Sequence, residues 1–274
     1  DYEAASNRFG AGWQRKVVAF FEQNIPRRAQ VVTTHSQFMW DKLAAWGCPP
    51  DRIHFLPNGV DRERFAPPRP EEVEALGKKL GLQGRQVVAY LGTLSLANHP
   101  VNLLLEAFAL LLKRLPEAIL LLVGGGDDFE RLKEMAQQLG VERGVVFSGR
   151  VAAGEVPRYY ALADVTVDPV YDDDAAKGRL PLKMFESWAM GVPFVTSPVG
   201  ERLRLAGDPP AILLAQPAGD VQALALSIQS VLTSVDLADS LRNRGLERVK
   251  DFSWALLARE LESVYLAALR KSNG

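Results

Sequence analysis

One carboxylate stands out for its surroundings. Glu186 lies in the stretch GRLPLKMFESWAMGVPFVTSPVG, residues 178–200, on a segment whose other residues are mostly apolar. Pro181 marks a helix start, Gly191 a stop, and Phe194-Val195-Thr196 a short buried strand before a polar turn. Helix, glycine, strand and turn make one αβ step of an open parallel sheet, where ligands sit beside strand carboxyl ends and helix N-termini. An acidic side chain on an otherwise apolar helix there needs a reason. The competing reading is a surface glutamate on an amphipathic helix.

Other candidates are weaker. Gly124-Gly125-Gly126 is too short for the dinucleotide fingerprint Gly-x-Gly-x-x-Gly, but it permits close backbone approach to a ligand. Tyr159-Tyr160 reads as core rather than as a base-stacking pair, and His35 and His54, beside apolar strands, read as structural. With 3 histidines and 1 cysteine, Cys48, no protein metal site is expected. A lone cysteine also excludes an internal disulfide framework and fits a reducing, cytoplasmic setting.

The elements that must position these residues follow from hydrophobic patterning. Residues 8–28 predict a helix with Phe9, Trp13, Val17, Phe20 and Phe21 near helical spacing, closed by Pro26. A strand over 30–34, a helix capped by His35-Ser36, a strand over 53–56 and the turn Pro57-Asn58-Gly59-Val60-Asp61 come next. Pro67, Pro68, Pro70, Gly81 and Gly84 mark a boundary. Strands are then predicted at 87–91, 119–123, 145–147, 165–167, 194–196 and 211–214. Between them lie helices at 101–115, 127–139 with Asp127 as cap, 156–162 and after Pro181, and three more helices follow to residue 270. Six near-continuous apolar strands alternating with helices predict an α/β, doubly wound parallel sheet of Rossmann type. The two strands before the boundary would be part of a second such sheet.

Composition narrows the function. Of 274 residues 47% are hydrophobic, and 32 basic against 33 acidic residues give a net charge of −1. That balance argues against nucleic acid as the main partner. The longest apolar runs fall far short of the roughly 20 residues of a membrane span.

The chain resembles the family-4 retaining glycosyltransferases, group 1 glycosyl transferases of the two-domain GT-B fold. The resemblance rests on VVTTHSQFMWDKLAAWGCPPDRIHFLPNGVDRERF (31–65), LGTLSLANHPVNLLLEAF, LLLVGGGDDFERL, VVFSGRV, EVPRYYALADVTVDP and MFESWAMGVPFVTS, in that order, and on Phe252-Ser253-Trp254. It implies that residues 63–274 form a nucleotide-sugar-binding domain. Residues 1–62 would be a remnant of the acceptor-binding domain, the rest of which is expected upstream of Asp1. It also implies transfer from a nucleotide-diphosphate sugar to an unspecified acceptor. No cofactor or metal is implied, and a cytoplasmic location is, with peripheral association at the inner face of the membrane left open. Two rival readings remain: a non-catalytic nucleotide-sugar-binding regulator of the same fold, and a nucleotide-sugar epimerase.

The resemblance also implies roles. Glu186 matches the second glutamate of Glu-x7-Glu, which meets the ribose; the first falls on Gly178. Leu180-Pro181-Leu182-Lys183 resembles a Pro-x-Lys-x-x-Glu variant, which puts Lys183 by the diphosphate unless it is simply solvated. The family's phosphate-binding arginine and lysine fall on Thr93 and His99, so both cations are replaced. Losing two charge-assisted contacts of roughly 1.5–3 kcal/mol each calls for substitutes. Backbone N–H groups of Gly92, Thr93 and Leu94, the helix start with Met184 and Phe185, and the cations Lys177, Arg179 and Lys183 are the candidates. His99 is either a phosphate or sugar contact or part of a helix-cap region. Gly124, Arg150 and Val151 would approach the donor, the last two at the nucleobase.

Overall fold

The structure is a computed structural model describing residues 12–272. Phe9 and the start of the helix expected from residue 8 lie outside the described residues.

The first part is one βαβ unit preceded by a helix. Helix α1, Trp13–Arg28, runs two residues past Pro26 rather than stopping there. A proline in a last turn forfeits only one backbone bond, so the turn survives. Strand β1, Val32–Thr34, pairs in parallel with β2, Ile53–Phe55, in the register Val32–Ile53 to Thr34–Phe55. Between them helix α2, Gln37–Ala45, is capped as expected: the Ser36 hydroxyl accepts from Met39 N at 3.2 Å. Leu43, Cys48 and Ile53 form a small core beneath it.

The second part is the larger. Helix α3, Pro70–Lys79, precedes six strands: β3 Val87–Leu91, β4 Ile119–Val123, β5 Val145–Gly149, β6 Val165–Val167, β7 Phe194–Thr196 and β8 Leu213–Leu214. They lie in the order β5-β4-β3-β6-β7-β8, all neighbours parallel. Renumbered within the sheet this is 3-2-1-4-5-6, the doubly wound order with its reversal between β3 and β6. Every side chain of β3 and β4 is buried, and alternate residues feed two separate cores. Val88, Tyr90, Leu120 and Leu122 meet helices α4 (Val101–Leu112), α5 (Phe129–Gln138) and, later in the chain, α10 (Val221–Thr233). Ala89, Leu91, Leu121 and Val123 meet α6 (Val156–Ala161) and α8 (Leu182–Ala189). Strands covered on both faces must be apolar throughout, which is why their runs show no alternation.

Several boundaries moved. Helix α4 stops at Leu112, not 115, and β8 is confined to Leu213–Leu214, with Ala211 bonded outside the sheet: its N donates to Ala206 O at 2.9 Å and its O accepts from Trp188 Nε1 at 3.0 Å. Asp128, not Asp127, precedes α5, and its carboxylate accepts from Leu96 N at 2.7 Å instead of capping the helix. Two unforeseen short helices border the strand ends: α7, Asp174–Gly178, and α9, Glu201–Ala206.

The chain closes with α11, Val235–Arg248, and α12, Trp254–Ser272. Between them it crosses back to the Pro57–Asp61 turn: Val60 N donates to Phe252 O at 2.8 Å and Trp254 N to Val60 O at 3.2 Å. A Cβ on Gly59 would sit 2.7 Å from Phe252 O, so only glycine lets these segments touch. Asn58 Nδ2 adds a bond to Leu180 O at 2.7 Å, just before α8.

Candidate functional site

The carboxyl ends of β3, β4 and β5 and one face of α8 enclose a cleft of about 440 Å³. It brings together seven residues singled out from the sequence: Gly92, Thr93, Gly124, Gly125, Arg150, Val151 and Glu186. Arg64, not anticipated, lies on its rim.

Helix α8 explains Glu186. Met184, Phe185 and Trp188 are buried, with Phe185 packed on Trp188 and Phe252. Glu186 is half-buried and borders the cleft instead. Its Oε2 accepts from the Tyr160 hydroxyl at 2.7 Å, while no described residue bonds to Oε1. Burial raises the Glu186 pKa, opposed by the Tyr160 hydrogen bond and the charges of Arg64 and Lys183. Burial, with Glu186 alongside, pushes the Tyr160 phenol well up and keeps it a donor. Tyr160 is core, as expected, but it also orients the carboxylate. The side chains of Met184 and Phe185 are core too; only their backbone lies at the helix start, and they cannot contact a ligand as side chains.

The glycine-rich strand ends serve a purpose the sequence did not reveal. A Cβ on Gly124 would sit 1.9 Å from Gly92 O, and one on Gly126 would sit 2.2 Å from Leu94 O. The close approach is therefore between two loops. It also consumes donors: Gly92 N bonds to Val123 O at 2.9 Å and Leu94 N to Gly125 O at 3.1 Å. Of the N–H groups at 92–94, that of Thr93 is left for a ligand. Leu94 itself is fully buried.

Beside the cleft, where the sheet order reverses, lies a buried ion cluster. Asp168 follows β6. Its Oδ1 accepts from Lys183 Nζ at 3.0 Å, and Oδ2 accepts from Arg202 Nη2 at 2.9 Å and Nε at 3.2 Å. Arg202, from α9, also donates to Ala176 O and Val199 O at 3.2 and 3.1 Å, so its fork is satisfied. Burial alone would raise the Asp168 pKa, but Lys183 and Arg202 outweigh it and hold the carboxyl well below its usual range. Burial would lower Lys183, and Asp168 reverses that. Lys183 also lies 4.1 Å over the Tyr90 ring, near Gly92. It is thus not a solvated lysine. Asp168 and Arg202 escaped the sequence reading; a polar residue ending an apolar strand was the available signal.

The remaining candidates diverge. His99 lies in the cap region of α4, next to the N-cap Pro100, and its backbone O accepts from Val101 N at 2.8 Å, while its side chain caps nothing. Its ring meets Tyr90 edge-on at 6.4 Å, and Nδ1 lies 3.3 Å from Arg179 Nη1. Burial and the charges of Lys183 and Arg179 push its pKa down to about 3. Arg179 also bonds to Asn98 O and, through Nε, to Ala175 O at 3.2 Å. Lys177 turns away to Asp172, 2.9 Å distant.

A second cavity, about 520 Å³, lies between α1, α2 and α7. Phe38, Met39 and Trp46 give it apolar walls, and His35, expected to be merely structural, and Lys42 add polar groups. Gly178 and Arg179 border it too, so Arg179 is shared by this cavity and the His99 loop. Across the same junction the buried Glu201 carboxylate accepts from Gln37 N at the start of α2, and from Arg204 Nε at 2.5 Å. Among the described residues no group of three or more His, Cys, Asp or Glu comes together as a metal site would require.

Comparison with known proteins gives the family and the fold. Residues 72–248 match the family described as glycosyl transferases group 1, and residues 2–64 match Glycosyltransferase Family 4. The chain is 31% identical over 257 residues to a GDP-mannose-dependent alpha-(1-6)-phosphatidylinositol monomannoside mannosyltransferase of Mycolicibacterium smegmatis, covering 92% of this chain and 65% of that protein. It is 28% identical over 273 residues to mannosylfructose-phosphate synthase of Agrobacterium fabrum, covering 95% of this chain and 58% of that one. The chain therefore spans less than two thirds of either relative. Its fold matches Anabaena HepE in complex with UDP and glucose, with TM-score 0.79 and 21% identity over 92% of this chain and 66% of that one. It also matches sucrose-phosphate synthase of Thermosynechococcus elongatus, with TM-score 0.79 and 23% identity over 99% and 67%. The two structures share the fold; the family matches run over most of the sequence, and from them the chain belongs to the group 1 glycosyl transferases, family 4.

Proposed function

We propose that this chain carries the donor-binding part of a retaining glycosyltransferase that takes a sugar from a nucleotide diphosphate. The observation that carries the reading is Glu186: a carboxylate held on one oxygen by Tyr160 and open on the other, at the mouth of a strand-end cleft. The ribose hydroxyls bond to Oε1, with the base toward Arg150 and Val151. The diphosphate then lies along Thr93 N–H and the α8 N-terminus, where Lys183 and Arg179 replace the cations expected at positions 93 and 99. Lys183, Arg202 and Arg179 against Asp168 leave the neighbourhood positive, which stabilises charge developing on the leaving diphosphate. Retention of configuration rests on the family resemblance.

The acceptor enters the second cavity, which reaches the donor through Arg179. The M. smegmatis relative is named as a phosphatidylinositol monomannoside mannosyltransferase and the A. fabrum relative as a mannosylfructose-phosphate synthase, and both names carry a phosphate-bearing compound. A hydroxyl acceptor bearing a phosphate suits Arg15 and Lys42 here, with Phe38 and Met39 against its apolar part. A thermal-shift titration with UDP, GDP and ADP tests the donor reading. At least one should raise Tm, and Glu186→Gln should abolish the rise. No shift with any of the three at millimolar concentration contradicts it. The absence of cations at Thr93 and His99 favours a second reading, a nucleotide-sugar binder without transfer. Acceptor-dependent release of nucleotide separates the two.

A further inference from the structure

The surroundings of His99 leave its ring one chemical form. The histidine sits between β3 and α4, with its backbone N–H bonded to Ser95 O at 2.8 Å. Arg179 Nη1 stands 3.3 Å from its Nδ1. A guanidinium stays protonated and has donors only. The contact therefore has one polarity: Arg179 donates, Nδ1 accepts, and the ring proton resides on Nε2. Arg179 is itself pinned, by the carbonyls of Asn98 and Ala175. The other groups facing the ring are Lys183 from α8, Asp168 after β6, Arg202 from α9, and Tyr90 from β3. Three cations to one carboxylate, in a half-buried place, oppose a second ring proton.

We propose that Arg179 is a positioning residue that locks His99 as the neutral, Nε2-protonated imidazole, and that this N–H donates to an acceptor oxygen of the sugar diphosphate. The ligand half of this inference rests on the donor-site reading above. A lysine at position 99 would bring charge without direction. Here the direction comes from the imidazole and the charge from the arginine behind it. The two are separated in the chain by 80 residues.

The chain has 3 histidines, so their side-chain ¹⁵N resonances are few, and His99→Gln assigns the one in question. Long-range ¹H–¹⁵N spectra of the unliganded protein between pH 5 and 8 should show His99 as the Nε2–H tautomer throughout. Arg179→Met should give mixed tautomers and a midpoint raised by at least one pH unit. Arg179→Lys, which still offers only donors, should restore the native pattern in part and guards against a mere folding defect. An Nδ1–H or doubly protonated His99 in the native protein, or an unchanged spectrum in Arg179→Met, overturns the lock. Calorimetry with GDP-mannose and UDP-glucose, whose phosphates do not ionise further in this range, tests the ligand half. The sugar nucleotide that binds should do so with pH-independent affinity, lose at least fivefold in His99→Gln, and become pH-dependent in Arg179→Met. Binding that is indifferent to His99→Gln overturns the ligand half alone. Failure of both nucleotide sugars to bind the native protein overturns that half together with the donor reading, while the spectra still decide the lock.

Discussion

The two sheets of this molecule do different work with the same βαβ logic. The six-stranded sheet is covered on both faces, and its strand ends converge on a cleft lined by backbone, Glu186, Arg64 and Arg150, with a buried ion cluster beside it. The two-stranded sheet has a core of three buried residues, and its helix α1 exposes Trp13 at 73% and Phe20 at 60%. Its contribution to the site is helix faces, not strand ends: Phe38, Met39, Lys42 and Trp46 around the second cavity. One region fixes geometry through close packing; the other supplies a mixed surface. A ligand held by the first should therefore be sensitive to sub-ångström change, and one held by the second to residue type.

Breaking the packed region should cost most. Asp168→Ala leaves Lys183 and Arg202 buried without their partner, and should lower unfolding stability by about 3–5 kcal/mol in a denaturant titration. A milder loss would mean that water reaches the cluster. Gly124→Ala drives a Cβ onto Gly92 O from a φ of 140°. It should cost about 2–3 kcal/mol and eliminate nucleotide binding, because the two loops must part. Tyr160→Phe removes one hydrogen bond to Glu186 and should cost about 1–2 kcal/mol, with nucleotide affinity falling while the fold persists. On the other side of the comparison, Lys42→Ala breaks an exposed pair with Asp174, 3.5 Å apart. Stability should change by about 0–1 kcal/mol, while acceptor-dependent turnover falls.

Acid should act on the packed region first. His99 has its folded pKa depressed to about 3 from an ordinary value of 6.5, so the unfolded chain takes up its proton earlier as pH falls. Its contribution is complete above about pH 6.5 and declines steadily toward about pH 3. The depressed Asp168 adds a loss in the same direction below its ordinary value of 3.8. Stability measured by denaturant from pH 7 to 4 should fall, and less so in His99→Gln.

Much of this was readable beforehand. The six strands announced themselves because strands covered on both faces are unbroken aliphatic runs. Glu186 did so because Met184, Phe185 and Trp188 define an apolar helix around it. The Asp168–Arg202 pair was not readable, because it joins residues 34 apart whose only local signals are a strand end and a charged turn. Helices α7 and α9 are too short to show a period. The glycines at 124 and 126 were visible, but that their neighbours are Gly92 and Leu94, rather than a ligand, is a fact of sheet topology. Lys177 and Arg179 looked equivalent in sequence; Lys177 is in the last turn of α7 and pairs with Asp172, whereas Arg179 follows it in extended backbone and meets His99.

On this reading the strand-end cleft, and not the helix-lined cavity, holds the nucleotide. A crystal structure of the protein with the tightest-binding nucleotide diphosphate tests it most directly. Both ribose hydroxyls should lie on Glu186, with Tyr160 still bonded to Oε2, and the diphosphate against Thr93 N–H. A nucleotide seated among Phe38, Met39 and Trp46, or one that leaves Glu186 bonded to Tyr160 alone, would contradict it.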